Sequence, residues 1–199
     1  PATQLAEASF GAPWAGWVPD WQCQHFPNLF SNQERVRRYI QYRALASQPV
    51  MCLFSSQQAI RDTKALFEAP PETTDWRVFH FPAVFDEHVW TIGGDSIGHT
   101  RQKYNLPDTY FIICNQFWRH KNHLVVLEAL KEITAVDVHI VLTGEMNDTR
   151  WPDYISDLQE ALDHPKVRHN VTLTGRIDRE EQLKLLLGAS GFVQPSLFE

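Results

Sequence analysis

An α/β fold built on parallel strands is predicted by three features of this 199-residue chain. From Tyr110 onward, short apolar runs of strand character alternate with longer stretches of helical spacing. Two of the strand-like runs end in glycine, and polar or cationic residues gather in the turns that follow the strands. Three such strand–helix units make half of a doubly wound sheet, in which ligands lie beyond the carboxyl ends of the strands.

In chain order, ERVRRYIQYRALA (34–46) has helical character. VMCLFSS (50–56) reads as a buried strand, followed by a helix from Gln57 to Phe67, with Ser55 and Ser56 placed either at a cleft or as caps of that helix. WRVFHFPAVF (76–85) reads as a strand ended by proline, and IGGDSIGH (92–99) as a linker or exposed loop between domains. The boundary falls near 95–105, giving domains 1–100 and 101–199. Then follow the strand YFIIC (110–114), the helix LVVLEALKEI (124–133), the strand VDVHIVLTG (136–144) and the helix YISDLQEALDH (154–164). The strand NVTLTG (170–175) leads to the helix EEQLKLLLGA, for which Asp178 and Glu181 resemble a capping box, and GFVQPS is the last strand. This order puts the turn after YFIIC, TGEM, TGRI and PSLFE on one rim.

Composition narrows the function. The chain is 43% hydrophobic and 21% charged, as in an ordinary globular protein. Its 18 Lys and Arg against 24 Asp and Glu give a net charge of -6, so a nucleic-acid partner has no electrostatic support. Cys23, Cys52 and Cys114 form neither a disulfide framework nor a zinc spacing, which favours a reducing, cytoplasmic setting. No run approaches the roughly 18 to 20 apolar residues of a membrane span. The N-x-T sequons at Asn147 and Asn170 matter only in a secreted eukaryotic protein. The remaining histidines, including His80, His88, His99, His139, His164 and His169, share no metal-ligand spacing, and no metal or cofactor is expected.

The densest polar stretch is NQFWRHKNH, between YFIIC and the next helix. A turn there exposes backbone amides and the positive end of the helix, which stabilise an anion. Arg119 offers a planar fork for phosphate oxygens and Lys121 a compact charge, a combination suited to a diphosphate. A solvated loop with two surface cations is the alternative. Neither G-x-G-x-x-G nor G-x-x-x-x-G-K-[ST] occurs, so a dinucleotide oxidoreductase or a P-loop NTPase has no direct support.

FIICNQFWRHKNHLVVLEAL, HIVLTG and VTLTGRIDREEQLKLLLGASGFVQPSLFE together closely resemble the C-terminal, donor-binding domain of family 4 glycosyltransferases of the GT-B fold. The resemblance covers roughly 108–199, and VPDWQCQHFPNLFSNQERVRRYIQYRALASQPVMCLFSSQQAIRD (18–62) looks like the later part of that family's N-terminal domain. It implies two Rossmann-like domains, both incomplete here. Members commonly carry Gly-Arg after the first strand of the donor domain and a Lys five residues beyond that Arg, the two cations binding the donor diphosphate. Lys121 matches the lysine, whereas Asn115 and Gln116 stand where Gly and Arg usually do. Either Arg119 supplies the missing charge or Gln116 contacts phosphate without one. By the same resemblance Gly144 of TGEM, Arg176 and Ile177 of TGRI and Ser196 of PSLFE belong to the donor site. Glu199 becomes the first glutamate of an E-x7-E motif that contacts the transferred sugar.

On the acceptor side Asp20 and His25 sit in a loop with Trp17, Trp21 and Phe26, whose aromatic faces either suit a glycan or a lipid-linked acceptor or pack against their own domain. The activity implied is metal-independent transfer, with retention, from a nucleotide-diphosphate sugar, a substrate and not a cofactor. Peripheral association of the full protein with the inner face of a membrane fits a lipid-linked acceptor. Two rivals keep the scaffold and change the role: a non-catalytic sugar-nucleotide or partner-binding module, and a sugar-nucleotide epimerase or glycan phosphorylase. The chain stops at the motif's first glutamate and lacks the opening strands of a complete first domain, so it is expected to be a partial chain, by itself inactive.

Overall fold

The computed structural model describes residues 13–67, 74–133 and 138–198. They form two compact units, one up to Val84 and one from Phe85. Each is built on a parallel sheet.

In the first unit β1 (Ala15–Val18), β2 (Met51–Phe54) and β3 (Asp75–Val78) pair in the order β1-β2-β3, with Val18 opposite Phe54 and Phe54 opposite Val78. The strands are linked by α1 (Gln22–His25), α2 (Asn32–Ser47) and α3 (Gln57–Leu66). β1 is missed by sequence reading because AGWV is four residues long and begins with Ala-Gly. Its Gly16 is needed for packing: a Cβ there would lie 2.4 Å from the Leu45 carbonyl oxygen, so α2 crosses directly over the strand. α2 starts with a reciprocal capping box between Ser31 and Glu34 and buries Tyr42, Leu45 and Ala46. Trp21, fully buried, donates from Nε1 to Thr63 Oγ1 at 2.7 Å and meets Tyr42 edge-on. Ser56 caps α3 by accepting from the Ala59 amide, while Ser55 accepts from Trp17 Nε1. β3 ends at Val78, and 79–86 run on without regular structure, so of the strand expected over 76–85 only the first three residues are strand.

The second unit contains α4 (Gly94–Lys103), β4 (Phe111–Cys114), α5 (His123–Glu132), β5 (Ile140–Thr143), α6 (Pro152–Asp163), β6 (Val171–Gly175), α7 (Arg179–Gly188) and β7 (Gly191–Phe192). Sheet order is β6-β5-β4-β7. The chain steps outward from β4 to β5 and β6, then returns to β4's other side, which makes the carboxyl end of β4 a switch point where an open α/β sheet forms a crevice. One layer of core lies between the sheet and α5 and α6, around Ile113, Leu127, Leu142 and Leu158. Another joins Tyr110, Ile112, Val141 and Leu185.

Two local expectations change here. IGGDSIGH is helical from Gly94, because Thr100 is buried and Ile97 packs at Gly188 of α7, and these contacts outweigh the low helix propensity of glycine. The capping box of α7 is half made: Asp178 Oδ1 accepts from the Glu181 amide at 2.8 Å, but the Glu181 carboxylate pairs with Lys103 of α4. The charge partner offered by the neighbouring helix takes the carboxylate away from the N-cap.

Candidate functional site

β4 delivers the chain at Cys114 into a turn that hydrogen-bonds both within itself and to the segments beside it. Gln116 is exposed, and its Oε1 accepts from the Glu145 amide at 3.2 Å, while the Phe117 amide donates to the Glu145 carbonyl at 3.3 Å. The Gly144 amide donates to the Gly175 carbonyl at 3.0 Å, tying in the turn after β6. Gly144 has φ of 134°, and a Cβ on it would lie 2.2 Å from the Asn115 carbonyl oxygen. Both the backbone angle and the space demand glycine here. The strand-end glycine legible in the sequence is thus what lets the β4 and β5 turns touch.

On the other side the turn is fastened to the segment after β7. Asn115 Nδ2 donates to Gln194 Oε1 at 3.0 Å, Asn122 Nδ2 to the Pro195 carbonyl at 3.2 Å, and the Leu197 amide to the His120 carbonyl at 2.8 Å. Asn122 takes the left-handed conformation, φ 56°, which ends the 3₁₀ turn Arg119–Lys121 and starts α5. Its side chain is spent on Pro195 and makes no capping bond to α5. PSLF is therefore a built part of the rim.

Beyond these strand ends lies an open cavity of about 370 Å³. Six residues singled out from sequence line it: Asn115, Gln116, Lys121, Gly144, Arg176 and Ile177. Four more were missed, Cys114, Trp118, Thr143 and Gln182, although the first and third are strand-end residues on the same rim and could have been inferred from that position. Two cations and no carboxylate stand among the described lining residues, so the cavity favours an anion. Burial pushes the Cys114 thiol above its ordinary range, with Thr143 and Gln182 pulling the other way, which keeps the wall neutral at that point.

The other predicted residues lie elsewhere. Arg119 is not in the cavity lining: its guanidinium sits 4.4 Å from the centre of the Trp151 ring, and its amide donates to Asp148 Oδ2 at 3.0 Å. Ser196 Oγ accepts from Gln194 Nε2 at 3.3 Å, on the segment laced to the turn but outside the lining. Glu199 lies outside the described residues. In the first unit Asp20 Oδ1 accepts from the Gln22 amide at 2.8 Å, and His25 Nε2 is 2.8 Å from Asp62 Oδ2. Among the described residues no three His, Cys, Asp or Glu gather as a metal site, and no helix is long and apolar enough to cross a membrane.

Two buried residues behind the cavity also escaped sequence reading. His123, fully buried, stacks on Phe117 at 4.3 Å, and neither ring nitrogen has a hydrogen-bond partner. Burial, with Lys121 adding to it, drops its pKa from 6.5 to about 4, so the ring is neutral at pH 7 and serves as an aromatic wall under the turn. Asp148, 4% exposed, accepts from the amides of Arg119 and Arg150 and holds the 3₁₀ turn from the β5 side.

No protein-family model and no curated protein sequence matches the chain. Solved structures do. HepE of Anabaena, in complex with UDP and glucose, aligns at a TM-score of 0.67 and 16% identity over 85% of this chain and 43% of that one. WaaG, a glycosyltransferase involved in lipopolysaccharide biosynthesis, aligns at 0.67 and 13% identity over 94% of this chain and 52% of that one. A glycosyltransferase from Rickettsia africae aligns at 0.62 and 14% identity over 94% and 44%. The chain has the α/β fold of GT-B glycosyltransferases and spans about half the length of these structures.

Proposed function

We propose that the cavity at the ends of β4, β5 and β6 receives the diphosphate of a nucleotide sugar, and that the full protein is a glycosyltransferase. The observation that carries this reading is the meeting of Lys121 and Arg176 among the described residues that line a cavity at the sheet's switch point. Support comes also from the HepE structures with UDP and with UDP-glucose, which share the fold.

In this reading Lys121 neutralises the departing diphosphate, a contact that strengthens as the sugar–phosphate bond breaks and so favours the transition state over the ground state. Gln116 contributes from its amide nitrogen, since its oxygen is held by the Glu145 amide; a neutral donor replaces the usual arginine. Arg119, stacked on Trp151, is a second-choice cation that reaches the site only by leaving that ring. Arg176 and Ile177 border the nucleoside. The electron pair of the breaking C–O bond goes to the diphosphate, the acceptor oxygen bonds the sugar carbon on the same face, and the acceptor's proton passes to the leaving phosphate. This accounts for retention without a covalent intermediate. A glycan or a lipid-linked molecule is the acceptor class, met by Asp20 and His25, with Glu199 on the transferred sugar.

Calorimetric titration with UDP, UDP-glucose and other nucleotide sugars tests the reading. Binding of at least one is expected, and Lys121→Ala should weaken it by about tenfold or more, as for a charge-assisted phosphate contact. Unchanged affinity in Lys121→Ala would remove the assignment. One observation favours a second reading, a sugar-nucleotide-binding module without turnover: Gln116 braces two turns in place of a charge on the leaving group. Donor binding by the full protein with neither transfer nor donor hydrolysis would favour it.

A further inference from the structure

The first unit contains a second cavity that the donor reading does not use. It measures about 290 Å³ and is lined by Gln24 of α1 and by Asn32, Arg35, Val36 and Tyr39 of α2. The four α2 residues fall at i, i+3, i+4 and i+7, the spacing of a helix face that ordinarily packs against a neighbour. Among the described residues that face borders an open cavity edged by polar groups. Arg35 Nε is wholly buried and without a hydrogen-bond partner. Among the described residues the side chains of Gln24, Asn32 and Arg35 make no hydrogen bond or ion pair with the protein, and Tyr39 is held only through its ring, against Phe67.

A guanidinium N–H removed from water with nothing to accept it is a costly arrangement, which an anion placed in the cavity relieves. The local charge agrees. α2 carries Arg35, Arg37, Arg38 and Arg43 against Glu34 alone, in a chain of net charge -6. The Glu34 carboxylate is occupied, accepting from the amide and hydroxyl of Ser31, and Arg38 is directed to the Phe30 ring and the Tyr42 hydroxyl. Arg35 is thus left to face the cavity. A planar guanidinium fork matches a phosphate group, the Gln24 and Asn32 carboxamides add donors, and Val36 and Tyr39 offer an apolar wall beside them.

We propose that this cavity binds a phosphate group carried on an apolar substituent, with Arg35 as its principal ligand. The proposal stands apart from the donor site and does not depend on it. Such a group comes either from a soluble organic phosphate or from a phospholipid, and the test separates the two. The chain is titrated with phenyl phosphate, inorganic phosphate and benzyl alcohol, and is floated with phosphatidylcholine vesicles with and without phosphatidic acid. Saturable binding of phenyl phosphate in preference to the other two soluble probes is expected, and Arg35→Gln should weaken it by about tenfold or more while the exposed Arg37→Gln does not. Gln24→Leu, on the other element, gives the same readout should Arg35→Gln fail to fold. Flotation only with phosphatidic acid, lost in Arg35→Gln and kept in Arg37→Gln, assigns the phospholipid source. No saturable binding of either kind, or equal weakening by Arg35→Gln and Arg37→Gln, overturns the cavity as the site.

Discussion

At the scale of single residues, His123 and Gly144 show how much of the turn after β4 depends on burial and backbone geometry. His123 has a folded-state pKa of about 4 against 6.5 when unfolded. Between those values the unfolded chain binds the proton more readily, so the contribution of His123 is complete above pH 6.5 and is lost as the pH falls toward 4. The loss amounts to about 3 kcal/mol at the acid end. Burial lowers the pKa of His139 as well, so the specific measurement is a difference. Urea unfolding at about pH 7 and about pH 4.5 should show a smaller loss for His123→Phe, which keeps the stack on Phe117, than for the parent chain. Equal losses would show that the buried ring does not titrate as described. Gly144→Ala places a Cβ against the Asn115 carbonyl and forces a side chain into positive φ. It should cost about 2 to 4 kcal/mol in the same measurement, whereas Gly175→Ala, where the added Cβ meets nothing, should cost only the backbone part.

At the scale of elements, the turns beyond β4, β5 and β6 are tied together by hydrogen bonds that cross from one to the next, Phe117 to Glu145, Arg119 to Asp148 and Gly144 to Gly175 among them. Asp148 is the clearest case: one carboxylate oxygen holds the Arg119 amide and the other the Arg150 amide. Asp148→Asn turns an acceptor into an N–H facing another N–H, so one amide is left unsatisfied whichever way the carboxamide sits. A destabilisation of about 1 to 3 kcal/mol is expected, with faster hydrogen exchange at the Arg119 or Arg150 amide. Unaltered exchange at both would mean the carboxylate does not hold the turn. Most helices and strands here were legible in the sequence, since their apolar spacing is local information. The failures are tertiary in origin. Four-residue β1 carries too little pattern, the glycine-containing α4 is held by α7, and Glu181 is drawn from its cap by Lys103.

At the scale of the whole molecule, the two units are joined through a segment without regular structure that exposes Phe79, Phe81 and Phe85. Brief chymotrypsin digestion followed by mass spectrometry should find its first cuts there, since exposed irregular chain adapts most easily to a protease. First cleavage within β4–α5 instead would contradict the division into units. Through local pattern and short motifs, the sequence by itself determined the α/β class, the order of the second unit's strands and helices from β4 onward, and the rim on which Asn115, Gln116, Lys121, Gly144, Arg176 and Ile177 meet. Only the tertiary structure decided where side chains of similar chemistry go. Arg119 and Lys121 are two residues apart and equally cationic, yet Trp151 and Asp148, distant in sequence, hold Arg119 outside the cavity that Lys121 lines. Gln116 likewise owes its role as a brace to Glu145, brought to it by the pairing of β4 with β5. Periodicity records which face of an element is apolar, whereas the partner of a polar side chain is set by which elements pack beside it.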